Sequence, residues 1–268
     1  MKKSHKIYAI INLVVLLMVI FWNYWVNAKG LDGNTVSSIS AKYDNLFTPA
    51  GYAFSIWGFI FLVLLGQAIF FISRAYSATK DSGFLSQIGP YLIMANIGNG
   101  LWIYMWLSES TGLSIIVMTG ILLALITVIL NINMERWDAP LSIIMWVWWP
   151  ICLYSGWIAV ALVANVSAYL VKIGWTGGMS EVTWAIIMIL AATAINLFMI
   201  WTRNMREFAM VGVWALVAIA VRHWQTIPAL QFTALGCSAV LFVAAGYHAY
   251  LNREFAPFKK RKTNRLQS

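Results

Sequence analysis

FTPAGYAFSIWGFIF, residues 47–61, decides how the rest of the chain is read. Thr48 can cap a helix, and Pro49 suits the first helical position, where its missing N–H costs nothing. The apolar run that begins there continues to about Ile72, long enough to cross a bilayer at the usual ~20 residues. Phe54, Trp57 and Phe61 fall at i, i+3 and i+7, so three rings share one helix face. A packing stripe would account for one such helix. Two later helices repeat the spacing, and the functional reading rests on that repetition.

The apolar character is general. Of 268 residues, 61% are hydrophobic and only 10% charged, whereas a soluble domain charges about a quarter of its residues. The long uncharged runs predict an all-α, polytopic membrane helical bundle; a barrel would show alternating segments of ~10 residues. Cys152 and Cys237 both sit in apolar runs. They read as small buried hydrophobes, with neither a disulfide framework nor metal-site spacing. The net charge of +9 is concentrated in flanking clusters: Lys2, Lys3 and Lys6 in the leader, and Arg253, Lys259, Lys260, Arg261, Lys262 and Arg265 in the tail. Such clusters set topology, so the partner is the lipid bilayer and no nucleic acid is expected.

Eight spans are predicted. The first, about Ile7–Val26, follows a basic leader as a signal peptide would. Its length and terminal Trp22, Tyr24 and Trp25 mark a retained helix with an interfacial belt. A polar loop from Ala28 to Leu46 follows, the longest early connection, as a lid would be. The remaining helices are predicted near Pro49–Ile72, Pro90–Leu107, Gly112–Ile132, Leu141–Val171 (interrupted by Pro150), Val182–Trp201, Phe208–Trp224 and Pro228–Leu251. Trp146, Trp148 and Trp149 are placed at the membrane interface. With the N-terminus cytoplasmic, 14 of the 18 Lys and Arg residues fall inside, leaving Lys29, Lys42, Lys172 and Arg222 outside. Both termini are therefore expected in the cytoplasm, at the inner membrane if the cell is bacterial. The chain divides at this level into residues 1–171, 172–251 and a basic, disordered tail, 252–268.

In the third span Asn99, Trp102 and Trp106 keep the i, i+3, i+7 spacing. In the fifth, Tyr154, Trp157, Ala161 and Asn165 extend it by one more turn. A carboxamide in hydrocarbon needs a partner, so Asn99 and Asn165 should turn inward and carry the rings on their stripes with them. Flat apolar walls with a few fixed polar groups describe a pocket for a large, rigid lipophile. The alternative is that the amides pair across helices as glue and the rings only pack.

On these residues the chain resembles the TspO/MBR family, the tryptophan-rich sensory proteins and translocator protein. Pro49, Tyr52, Phe54 and Trp57 are similar to that family's Pro-Pro-x-aromatic…Trp signature. Asn99, Trp102 and Trp106 resemble its Leu-Asn-x-x-Trp-x-x-x-Phe-Phe element. Tyr154, Trp157, Ala161 and Asn165 resemble its Pro-Tyr-Leu-x-Trp-x-x-x-Ala-x-x-x-Asn element. Ala50 replaces the second proline, Leu153 the proline before Tyr154, and Trp57 arrives one residue early. The motifs cover about residues 7–171, so the last three helices are assigned no role beyond enclosing the bundle or forming a homodimer. The resemblance implies a five-helix bundle whose pocket, closed by the first loop, binds a tetrapyrrole (porphyrin or haem) or a sterol-like molecule. Pro49 and Phe54 would lie at the loop-side start of that pocket and Trp57 and Trp157 would be its walls. Ala161 would leave room beside the ligand, and Asn99, Tyr154 and Asn165 would be polar contacts. Trp102 and Trp106 complete the ligand-binding set.

Other chemistry has less to stand on. His5, His223 and His248 are the three histidines, and predicted depth separates the last two; haem ligation by His248 alone is the one metal-related option they leave. No acidic residue falls mid-span, which argues against an ion-coupled carrier. Gln67 and Asn196 read as helix–helix bonds. No phosphate loop, Ser/His/Asp set or zinc motif appears. The main expectation is a sensor or transporter-like protein with no required cofactor; the alternative is a small-molecule transporter or a membrane-embedded lipid- or porphyrin-modifying enzyme.

Overall fold

A computed structural model of the chain describes residues 3–175 and 177–253. Lys2 of the leader and the tail beyond Arg253 lie outside those residues. Nine helices are described: α1 (Lys3–Lys29), a short α2 (Val36–Lys42), α3 (Ile56–Tyr76), α4 (Phe84–Leu107), α5 (Thr111–Asn131), α6 (Leu141–Lys172), α7 (Glu181–Arg203), α8 (Arg206–Arg222) and α9 (Pro228–Leu251). The eight long ones correspond to the eight predicted spans. Six have both the length and the apolarity to cross a membrane: α1, α3 with its leading turn, α5, α6, α7 and α9. The other two are the amide-bearing α4 and the 17-residue α8, whose rise of ~1.5 Å per residue still gives a rod of about 26 Å. The chain is an all-α integral membrane protein.

The buried side chains form two main clusters. One gathers α1 and α3–α6; the other gathers α7–α9. α8 is the seam between them: Phe208, Val211 and Ala215 face the first cluster, Leu216 and Ile219 the second. At the crossing of α6 with α8 the backbones approach closely because Gly156 has no side chain. A Cβ there would lie 3.0 Å from Phe208 O and 3.2 Å from Val211 Cβ. Phe47, the first residue of the deciding stretch, is buried among the α7–α9 side chains rather than with its own helix.

Local departures from the predicted boundaries have identifiable causes. α3 does not start at a Thr48 cap with Pro49 in the first turn. Thr48 O accepts from Arg222 Nη1 at 2.8 Å and the Ala50 N–H donates to Ala218 O at 3.1 Å. The backbone thus stays extended until a 3-10 turn at Gly51–Ser55 leads into the α-helix. α4 begins before the predicted Pro90, because Gly89 turns the chain with φ 47° and ψ −139° and a further helical segment precedes it. Ahead of Pro150, which lacks a donor and crowds the preceding turn, α6 opens into a π turn at Ile144–Trp148, with the Trp149 N–H donating to Ile144 O. That turn draws Trp148 into the core at 2% exposure, while Trp146 stays 39% exposed. Of the three tryptophans placed at the interface, Trp148 is therefore a core residue. The polar loop expected to act as a lid contains α2, capped by a reciprocal Thr35–Ser38 box.

Polar contacts gather the connections at the two ends of the bundle. Lys42, Glu109, Lys172, Asp44 and Arg222 meet at one end. The His5–Ser82, Arg74–Ser142, Arg136–Thr202 and Asn204–Glu135 contacts lie in the connections at the other.

Candidate ligand site between the helices

The rings of α3, α4 and α6 do meet. Trp57 stacks on Phe61 with centroids 5.3 Å apart, lies 6.5 Å from Trp102 at 28°, and meets Tyr154 edge-on at 6.0 Å. Phe54 stands at 89° to Trp157, 6.1 Å away, and Trp102 stacks on Trp106 at 6.3 Å. Pro49, Phe54, Trp57, Trp102, Trp106, Trp157, Ala161 and Asn165 line a single chamber with Val36 and Ser40 of α2. The chamber measures only about 50 Å³, because the rings fill the space against one another.

Asn99 and Tyr154 are not on its wall. The Tyr154 hydroxyl donates to Ala95 O at 3.0 Å, and Asn99 Oδ1 accepts from Asn23 Nδ2 at 3.0 Å. Asn165 reaches the chamber, but its carboxamide is taken up by Ser114 Oγ on α5. Both predicted amides thus tie helices together, α1 to α4 and α5 to α6. A second rung runs from Asn96 Nδ2 to Asn12 Oδ1 at 3.1 Å, and Trp22 Nε1 donates to Gly100 O at 3.1 Å. Asn12 and Asn23 went unremarked in the sequence; they stand eleven residues apart, three helical turns, on the face that α4 covers. Gln67 does bond across helices, to Val147 O, whereas Asn196 turns back to Ala192 O in its own helix.

A larger space adjoins the chamber. A groove of about 960 Å³ runs between α1 and α3 under α2, walled by Ile20, Tyr24, Gly58, Phe61, Leu62 and Leu65, with Asn23, Asn27, Asp44 and Arg222 among its polar lining residues. Trp57, Trp102, Phe54, Pro49 and Ser40 line both spaces. The indole N–H groups of Trp102 and Trp157 are buried and have no acceptor. Each such orphan costs on the order of 1–3 kcal/mol, which an acceptor atom on a ligand would relieve.

The roof is fastened on two sides. Trp106 Nε1 donates to Val36 O at 3.3 Å and Asn34 Nδ2 to Leu107 O at 3.0 Å. Lys42 Nζ (2.7 Å) and Tyr43 Oη (2.5 Å) both donate to the Glu109 carboxylate, and Lys172 Nζ donates to Glu109 O. The Lys42 hydrogen bond, then that of Tyr43, holds the Glu109 carboxyl below its usual range and raises both partners. From the far side, Arg222 grips Asp44, Asn45 O and Thr48 O, His223 Nε2 pairs with Leu46 O at 2.8 Å, and Trp214 Nε1 donates to Ala53 O at 3.1 Å. None of these α8 contacts was visible in the sequence.

A family model described as TSPO-like protein matches residues 9–247. The chain belongs to that family. The match does not stop with the three motifs near residue 171; it continues through α7 and α8 into α9 and takes in the helices that strap the first loop. No curated protein and no solved structure gives a match.

Proposed function

We propose that this TSPO-like membrane protein binds a flat lipophilic ligand, a tetrapyrrole such as porphyrin or haem or a sterol-like molecule, and acts as a sensor or transporter-like protein. The observation that carries the reading is the contiguous aromatic wall where groove and chamber meet, with Trp57 and Trp102 shared between them. The groove falls within the ~300–1,000 Å³ of ordinary small-molecule sites; the chamber alone is far below it. The ligand therefore lies in the groove, its face against Trp57 and an edge toward the unpartnered Trp102 N–H. Ala161 lies beyond the rings in the chamber, where a larger residue would push them into the ligand's space. The positive-inside rule supports both termini on the cytoplasmic side.

Titration with protoporphyrin tests this. Tryptophan fluorescence of the purified protein is expected to fall along a saturable curve, and Trp57→Ala and Ala161→Phe should each weaken it about tenfold. Two variants that titrate like the parent would remove the site from these rings. The groove's opening along α1 and α3 also favours the transporter reading over a closed receptor, and ligand uptake into proteoliposomes separates the two.

A further inference from the structure

A second group of reactive side chains lies where α6, α8 and the α5–α6 turn converge. Glu135, Cys152 and Glu207 each present a ligand atom there, all within 4.8 Å of one another. They come from three separate segments. Cys152 follows Pro150 on α6 and is 0% exposed. Glu207 lies in the first turn of α8, and Glu135 sits in the turn with φ 60°. Asn204 Nδ2 donates to Glu135 O at 2.7 Å and Arg136 Nη2 to Thr202 O at 2.7 Å, which pins that turn onto the α7–α8 connection.

The Phe208 N–H reaches the Cys152 sulfur, but the two carboxylates lack partners. Glu207 Oε2 is sealed from solvent without a hydrogen bond, and among the described residues neither carboxylate forms an ion pair. A buried anionic oxygen with no donor is strongly unfavourable, and a bound cation removes the penalty. A cavity of about 540 Å³ adjoins the two carboxylates and is lined also by Trp148, Arg206 and His248. The Trp148 indole N–H, on a side chain 2% exposed, has no acceptor; a water or hydroxide held on a metal would supply one.

We propose that Glu135, Cys152 and Glu207 form a binding site for a borderline-soft divalent metal of the zinc type, its fourth position open to the cavity. One thiolate and two carboxylates select such ions over magnesium or calcium, which take oxygen ligands alone. Bonds of ~2.3 Å to sulfur and ~2.0 Å to oxygen set donor separations near ~3.5 Å. The two glutamate side chains must close in by about an ångström, within their rotameric reach. Three negative charges outweigh the Arg206 and Arg136 guanidinium groups that line the same cavity, and the thiol and carboxyl protons leave as the metal binds.

The test is a cobalt titration of the full-length protein in detergent, stripped beforehand with chelator. The expected result is one saturable Co²⁺ per chain, with the near-ultraviolet absorption of a thiolate–cobalt bond that Zn²⁺ then abolishes. Cys152→Ser should lose that band, and Glu207→Gln should weaken binding tenfold or more while helical circular dichroism is unchanged. Because Cys152 is buried, Glu207→Gln decides the matter if the serine variant fails to fold. No thiolate band, or a band of equal strength and affinity in Glu207→Gln, overturns the proposal. Neither result bears on protoporphyrin binding, which is measured separately.

Discussion

Arg222 Nη2 lies 2.5 and 2.6 Å from the two carboxylate oxygens of Asp44, while its Nη1 donates to Asn45 O and Thr48 O. One guanidinium from the end of α8 therefore holds the backbone that leads into α3. With Asp44 half exposed, the ion pair alone is worth little; the two bonds to carbonyls give the clamp its value. Arg222→Ala is expected to cost about 1–2 kcal/mol and to speed hydrogen exchange at the amides of residues 45–53 above all others. Exchange that rises evenly through the chain would show that the clamp is not local.

The Asn23–Asn99 bond distinguishes glue from ligand contact. Both side chains are buried, at 8% and 1% exposure. Asn99→Leu removes one of the two acceptors of Asn23 Nδ2, Val19 O remaining at 2.9 Å, and should destabilise the protein by about 0.5–1.5 kcal/mol. The Asn23→Leu, Asn99→Leu double variant should recover much of that loss. Thermal unfolding of the four proteins in a double-mutant cycle checks it. Strictly additive losses would mean that the two residues act separately.

Gly156 supplies the contact distance between the two lobes. A Cβ there would meet Phe208 O at 3.0 Å, and backbone cannot swing aside as a side-chain tip does. Gly156→Ala should cost about 1–3 kcal/mol by overpacking, and Gly156→Leu should separate α8 from α6. Cross-linking between cysteines introduced on the two helices reports the separation directly.

The Glu109 clasp is pH-dependent in a fixed direction. Its carboxyl is held below the ordinary value of 4.5, so the roof contact is complete above that value and is lost as pH falls through the depressed one. Lowering the pH should therefore free α2, seen as faster exchange at residues 37–42. Glu109→Gln should show the freed behaviour at neutral pH and no further change on acidification.

How far the sequence could be read depended on how far each signal reaches along the chain. Span number and type follow from hydropathy, since a bilayer forces every backbone group into helices, and α9 begins and ends where Pro228 and Leu251 mark it. The inward turn of Asn99 and Asn165 was legible because a carboxamide cannot be left alone in hydrocarbon. Their partners, Asn23 and Ser114, were not, for many polar residues satisfy that rule equally well. The Thr48–Pro49 start failed for the same reason: Arg222 and Ala218, about 170 residues away, take the backbone groups that a cap would have used. Glu135 and Glu207 read as separate loop acids and Cys152 as a small hydrophobe. The closeness of α6 and α8 at Gly156 brings Cys152 and Glu207 together, and the Asn204–Glu135 and Arg136–Thr202 bonds add Glu135.

Trp57 has a further consequence. It is a shared wall between two compartments, one of about 960 Å³ and the other of about 50 Å³. Packed against Phe61, Trp102 and Tyr154, that indole cannot turn alone, so enlarging the smaller space takes a concerted repacking of these rings.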